Sequence, residues 1–586
     1  MFEPKKTTAT LKSSFLPMAV MVAAAWLPLS GCDASGAEPK ANLGRLYLSN
    51  DAAAIPPQCY TRTEHQTGVE RQTGIERHGD AGTKPPASNP CYVCHTESSE
   101  PNYTNDVDLQ LEYSFPKPAL TNHWRNLFKD RSAYLASVSD EAILAYVRED
   151  NYRAPDGGIR LAARLTEDLP AHWDGNRNGK WDGYVPDVGY HFDERGFDHD
   201  AQGRLTGWRA LAYTPFPGTF FPTNGSTDDV LMRLPEIYRR NEAGEYDETV
   251  YRINLAIVEA LIKRQNVTIE PVDEKRLQVD LDDDGVLGIA RKVVYDWAPL
   301  EKRFMHYVGQ ARLAQQAGKA PLSAGLYPLG TEFVHSVRYL DIDEHGKVVL
   351  AARMKELRYA RKASWRTYYQ HRAMVFEELK DAHDFPDRLE AVIGDIEVGV
   401  SNRRGWRYSG FIENSQGQLR PQSYEELATC VGCHGAIGAN VDGSFALPRK
   451  LDADSAFQHG WYHWQQKGMA GIPEPKRRDG GGEYAFYLRQ VGNADEYRGN
   501  REVRQRFFHS DGTLKEAMLA ELSTDITTLI LPSRRRALDL DKAYQAVVRE
   551  QSYSQGRDAV LAPRENVWKQ VPEGQTTSIH EAVTAH

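Results

Sequence analysis

Beyond its first thirty residues the chain lacks any apolar run approaching eighteen residues, so nothing downstream reads as a membrane-spanning helix. It also lacks an excess of positive charge. Lys and Arg number 71 against 81 Asp and Glu, a formal charge of −10, which leaves no electrostatic footprint for nucleic acid. Cysteine is scarce, with six in 586 residues. Four of the six fall in two C-x-x-C pairs and a fifth, Cys32, ends an export-signal-like stretch, so Cys59 has no partner and a disulfide framework is excluded. What remains is an ordinary globular composition, long enough for about two to four domains.

The two pairs have the same continuation. Cys91-Tyr92-Val93-Cys94-His95 and Cys430-Val431-Gly432-Cys433-His434 both read C-x-x-C-H, the attachment signature of c-type haem. Two thiols three residues apart reach the two vinyl groups of one porphyrin, and the adjacent histidine falls beneath the iron as its proximal ligand. The second copy is expected on a helix. Ser423-Tyr-Glu-Glu426 reads as a capping box, and positions 430, 433 and 434 then follow at i, i+3 and i+4 on one face. Two covalent haems are therefore expected, held by Cys91, Cys94, His95, Cys430, Cys433 and His434.

Candidate distal ligands are His123 for the first haem and His463 for the second. His65 and His78 rival the former; His459 and Met469 stand behind the latter. His335, in the strand-like Phe333-Val-His-Ser-Val, is a further inward-facing candidate. Cys59 is read as a small buried residue, with an intermolecular disulfide or a thiolate ligand to the first haem as alternatives.

The stretch from 151 to 350 carries two acidic glycine-containing loops. Asp174, Asn176, Asn178, Lys180 and Asp182 fit the first nine positions of a calcium loop, and Asp280, Asp282 and Asp284 follow the same template. The glutamate at position 12 is missing from both, with Val185 and Arg291 in its place, so Asp187 or a distant carboxylate must complete the first. Calcium is thus a candidate second cofactor, against Asx-rich turns. Residues 197–208 and 339–350 read as hairpins around Gly203 and Gly346, and a long amphipathic helix is expected over 248–265. From Arg353 to about Asp384 a basic, aromatic segment reads as helical, with arginines suited to haem propionates.

The N-terminus is an address: Lys5, Lys6 and Lys12 precede an apolar stretch from Phe15 to Leu29. Leu29-Ser30-Gly31-Cys32 resembles the bacterial lipobox, which implies cleavage before Cys32 and lipidation of that cysteine; an ordinary secretory peptide is the alternative. Asp33 resembles an inner-membrane retention signal. Taken with the two C-x-x-C-H motifs, the chain resembles bacterial di-haem c-type cytochromes, a likeness confined to the attachment segments and the lipobox.

The expected fold is mainly α with irregular loops and small antiparallel β elements, its cytochrome c-like haem regions flanking a mixed α+β middle region. The expected divisions are a signal peptide (1–31), a tether (32–50), a first haem region (51–150), the middle region (151–350), a second haem region (351–480) and a C-terminal helical region (481–586). The resemblance implies a lipid-anchored electron carrier on the periplasmic side of a bacterial membrane, with membrane or periplasmic redox partners. A di-haem peroxidase-like or oxygenase-like enzyme with one open iron is the alternative, which the size of the middle region favours. A third possibility is a haem-bearing structural subunit of a respiratory complex.

Overall fold

The computed structural model describes residues 47–48, 55–62, 115–215, 222–388, 391–435, 441–452, 460–477, 479–491 and 500–575. Its central element is a long hairpin. Strands β9 (Glu332–Ile342) and β10 (Val348–Lys362) pair from Ile342 opposite Val348 to Glu332 opposite Arg361. Asp343 closes the turn by accepting from the backbone N–H groups of His345 and Lys347, and Gly346 takes φ +78° there, a conformation that costs glycine little.

The remaining strands are β1 (Tyr47–Leu48), β2 (His191–Phe192), β3 (Phe197–His199), β4 (Leu205–Leu211), β5 (Thr227–Asp228) and β6 (Val230–Arg233), followed by β7 (Val267–Asp273) and β8 (Ile289–Val293). After the hairpin come β11 (Val392–Asp395), β12 (Gly399–Ser401), β13 (Trp406–Glu413) and β14 (Leu419–Pro421). Twelve of these form one sheet in the order β1-β11-β12-β13-β10-β9-β6-β4-β3-β2, with β14 on β13 and β5 on β9; β7 and β8 form a separate pair. Every pairing is antiparallel.

This sheet overturns the expectation of a mainly α chain with only small β elements. The cause lies in β10. It carries Arg353, Lys355, Arg358, Arg361 and Lys362, and so basic a run reads as a solvated helix face. Most of these cations are instead buried against partners: Arg353 on Glu413 at 2.9 Å, Arg358 on Glu356 at 3.0 Å and Lys362 on Asp442. Helix begins only at Tyr368.

Other local readings match the structure. Helix α1 (Asp140–Arg148) is capped by Ser139, whose hydroxyl accepts from Ala142 N at 3.1 Å. Helix α2 (Glu248–Lys263) starts at an Asp247 cap and buries Val250, Ile253, Leu255, Ile257, Val258 and Leu261 in the main core. Hairpin β3–β4 forms around Gly203. Helix α3 (Tyr368–Asp384) follows the hairpin, α4 (Tyr424–His434) follows β14, and α5 (Arg534–Glu550) packs Leu540 and Tyr544 into a cluster with Tyr339 and Leu340 of β9. Trp181, Trp208, Leu357 and Phe411 belong to a third cluster.

One end of β13 is fixed by a buried carboxylate. Glu413 is fully buried and accepts from Arg353 Nη1 (2.9 Å), Tyr339 OH (2.6 Å) and Tyr146 OH (2.9 Å), while the Arg353 guanidinium lies 3.9 Å from the Tyr146 ring centroid. Burial pushes Glu413 up to about 7, against the pull of Arg353 and the two phenols. Removing the carboxylate strands a buried guanidinium, so Glu413→Ala is expected to cost about 3–5 kcal/mol in urea unfolding. The native form holds its proton more tightly than the unfolded chain, so the contribution of Glu413 is full below the ordinary carboxylate range and falls as pH rises toward 7. The stability difference between wild type and Glu413→Gln should therefore move in favour of the variant across that window.

Candidate functional site

Helix α4 begins as its sequence requires. Ser423 Oγ accepts from Glu426 N at 3.2 Å and Glu426 Oε2 accepts from Ser423 N at 2.8 Å, a complete capping box. Arg420 grips the same carboxylate with both terminal nitrogens at 2.8 and 2.9 Å, so the helix start is pinned to β14. Cys430, Cys433 and His434 then fall at the helix end, and all three line a cavity of about 280 Å³.

The sheet supplies a second part of the lining. Side chains alternate along a strand, so Phe333, His335 and Val337 of β9 emerge together, as do Glu356, Arg358 and Ala360 of β10. The register sets them side by side, with His335 opposite Arg358 and Phe333 opposite Ala360, and β13 continues the ladder with Tyr408 opposite Ala360.

His434 is held in a defined orientation. Its Nδ1 lies 3.2 Å from the Gly443 carbonyl, its ring stacks on Tyr408 (centroids 4.8 Å, 28°), and Phe445 lies edge-on at 5.2 Å. A proton on Nδ1, donated to that carbonyl, leaves Nε2 with its lone pair available to a metal. Burial lowers His434 to about 4, so the imidazole is neutral at pH 7. The Gly443 carbonyl also accepts from Tyr408 OH at 2.7 Å. Gly443 has φ +85°, and a Cβ there would meet Trp406 Cδ1 at 2.6 Å, so glycine is required on both counts. Burial raises the Cys430 thiol and pushes Cys433 up to about 11, the two thiols reinforcing each other in the latter.

Charge on the sheet wall is arranged around one carboxylate. Glu356 is bonded by Arg358 Nε (3.0 Å), Arg557 Nη1 (2.8 Å) and Gln422 Nε2 (3.0 Å). Two guanidinium groups share this one carboxylate, the carboxylates of Asp228 and Asp558 also line the cavity, and Arg557 Nε is buried with no hydrogen-bond partner among the described residues. Arg449, also in the lining, forks Glu483 at 3.1 and 3.2 Å.

His335 is the second imidazole of the cavity. Its Nδ1 has no hydrogen-bond partner among the described residues, Asp228 Oδ2 being 3.9 Å away. Burial, Arg358 and the nearby His434 lower it to about 3.

The structure places the other sequence candidates as follows. Cys32, Cys91, Cys94, His95, His65, His78 and His459 lie outside the described residues. His463 is buried away from the cavity lining: Nε2 is 3.0 Å from Asp229 Oδ2 and Nδ1 accepts from Gln465 N, so both nitrogens are engaged. His123 lies tilted against Trp124, which lines the cavity, and burial lowers it to about 4; neither of its nitrogens has a hydrogen-bond partner among the described residues. Met469 packs against the main core, and Cys59 sits in a short 3-10 turn, Pro57–Tyr60.

The two acidic loops differ. In the first, Asp174 accepts from the backbone of Asn178 and Gly179, Asp182 accepts from the Asn176 and Asn178 amides and pairs with Lys180, and Glu397 takes three backbone N–H groups. These carboxylates are occupied by the loop's own donors. Asp187 is committed to Tyr184, Trp208 and Arg233. In the second, Asp280 and Asp282 converge with Glu274, their oxygens within 4.8 Å of one another, whereas Asp284 is not part of that cluster. Glu274, six residues before Asp280 and outside the template, was not readable from the motif.

Residues 43–525 match the model of a lipoprotein family, and the chain belongs to that family. It is similar to an uncharacterized lipoprotein of Aquifex aeolicus (strain VF5), with 29% identity covering 90% of this chain and 89% of the relative. No solved structure matches. Among the described residues no helix is long and apolar enough to cross a membrane. Such a family implies attachment to a membrane through a lipid.

Gly443→Ala is expected to destabilise the protein by more than about 1 kcal/mol in thermal unfolding, because the left-handed backbone and the contact with Trp406 both resist a Cβ.

Proposed function

We propose that the chain is an exported, lipid-anchored c-type cytochrome that carries two covalent haems and transfers electrons on the periplasmic side of a bacterial membrane. One observation carries the reading: Cys430, Cys433 and His434 converge on a single cavity, with His434 Nδ1 tied to a backbone carbonyl. That is the arrangement a proximal histidine needs, with Nε2 directed to iron and the ring unable to turn away.

The residues present suit the group. Each thiol adds across a vinyl C=C, its sulfur bonding one carbon and its hydrogen passing to the other, so attachment consumes no oxidant. The iron supplies a one-electron couple. Phe333, Val337 and Ala360 give an apolar wall for the macrocycle, and the guanidinium groups of Arg358 and Arg557 beside Glu356 offer hydrogen-bond donors to propionates. Cys91, Cys94 and His95 hold the first haem in this reading, with His123 as its distal ligand, and Cys32 carries the lipid. Asp33 favours the inner membrane, and the partners are periplasmic or membrane redox proteins.

A second reading is favoured by Arg358 standing opposite His335 in the register: a peroxidase-like enzyme in which one iron stays open beside these two side chains.

The optical spectrum separates a c-type haem protein from a lipoprotein without haem. Purified protein reduced by dithionite is expected to show the sharp α band of c-type haem. Cys430→Ala/Cys433→Ala should halve its intensity, as should Cys91→Ala/Cys94→Ala. A colourless wild-type protein would end the proposal.

A further inference from the structure

Resting on the haem reading above, we propose that His335 is the second axial ligand to the iron of the haem attached at Cys430 and Cys433, opposite His434, and that Asp228 is the carboxylate that orients it. His335 and His434 are the two imidazoles that line the cavity among the described residues, and no methionine or lysine lines it with them. One comes from the end of helix α4 and the other from strand β9. β9 lies two strand spacings, roughly 10 Å, from the β13 ladder against which His434 stacks.

The state of the His335 ring fits a ligand better than a packing residue. Its side chain is 24% exposed although the strand around it is buried, and that surface opens to the cavity. Its Nδ1 is buried and points toward Asp228 at 3.9 Å, too long for a hydrogen bond and short enough to become one with a small turn of the ring. A ring whose Nδ1 proton goes to a carboxylate presents Nε2 to a metal, the arrangement found around most metal-bound histidines. Asp228 is itself fixed by Tyr213 OH, so the chain of contacts runs from β5 to the cavity. Competing histidines are worse placed. His463 has both nitrogens engaged, and buried His371 lies outside the lining, beside Asp442 and Lys362.

The test is electron paramagnetic resonance and haem content of the full-length ferric protein, wild type against His335→Ala. Covalent haem, counted by the pyridine haemochrome, is expected to be unchanged in the variant while one of two low-spin signals is replaced by a high-spin signal. Added imidazole should restore the low-spin form. Full haem content with both low-spin signals intact in His335→Ala overturns the assignment, as does a wild-type high-spin signal that the variant leaves unaltered. Should the alanine variant lose haem, His335→Met decides. Methionine opposite histidine raises the reduction potential, so a low-spin haem with a raised midpoint supports the assignment and an unmoved midpoint overturns it. Asp228→Asn, which keeps the side chain's size, should raise the same midpoint with both signals still low-spin. Absence of covalent haem from the wild-type protein is a separate outcome, which removes the haem reading and this assignment together.

Discussion

The ladder between β9 and β10 is the constraint on which the cavity depends. Because the period of a strand is two, the pairing of His335 with Arg358 decides at once that Phe333, Val337, Glu356 and Ala360 share their face. A slip of β9 by one residue would turn Phe333, His335 and Val337 away and present Val334, a residue of the third apolar cluster, to the cavity instead. Helix α4 then needs only to be delivered to the right end of this face. The capping box and the Arg420 fork fix where it starts, and the Gly443 carbonyl fixes where its last side chain points.

Such a wall carries charge at unusual depth. Glu356, Arg353, Lys355 and Lys362 are each 2% exposed or less, and a lone charge so placed would be costly. Each has a partner: Glu356 holds two arginines, Arg353 has Glu413, Lys362 has Asp442, and Lys355 donates to the Gly225 carbonyl. Buried pairs of this kind add little net stability but penalise wrong registers, because a mispaired strand would strand its charges in the core. The same layout places the Arg358 and Arg557 guanidinium groups beside the cavity. Structure and chemistry are thus served by one set of side chains.

Local chemistry was legible in the sequence, and long-range assembly was not. Ser423 and Glu426 announce the start of α4, Ser139 that of α1, and the apolar rhythm of 248–265 matches α2. The hairpins around Gly203 and Gly346 could be read from alternation flanking a turn. The mainly α fold class failed because a strand buried on both faces yet studded with cations has no simple periodicity. His335 carried a weak signal, the alternation of Phe333, His335 and Val337. Arg557 carried none, since the residue it binds lies 201 positions away. His463 belongs to a hydrogen-bonded pair with Asp229, a partner 234 positions distant that no local pattern discloses. Glu274 escaped notice because it precedes its loop rather than following it.

The central claim is that haem is joined covalently to this sheet-walled cavity. Peptide mass spectrometry of the purified protein after acid–acetone extraction tests it most directly, since extraction strips any haem that is merely bound. The account predicts that the peptide containing Cys430 and Cys433 retains one haem through two thioether bonds. Recovery of that peptide with both thiols unmodified, from protein made in a host that attaches c-type haem, would contradict it.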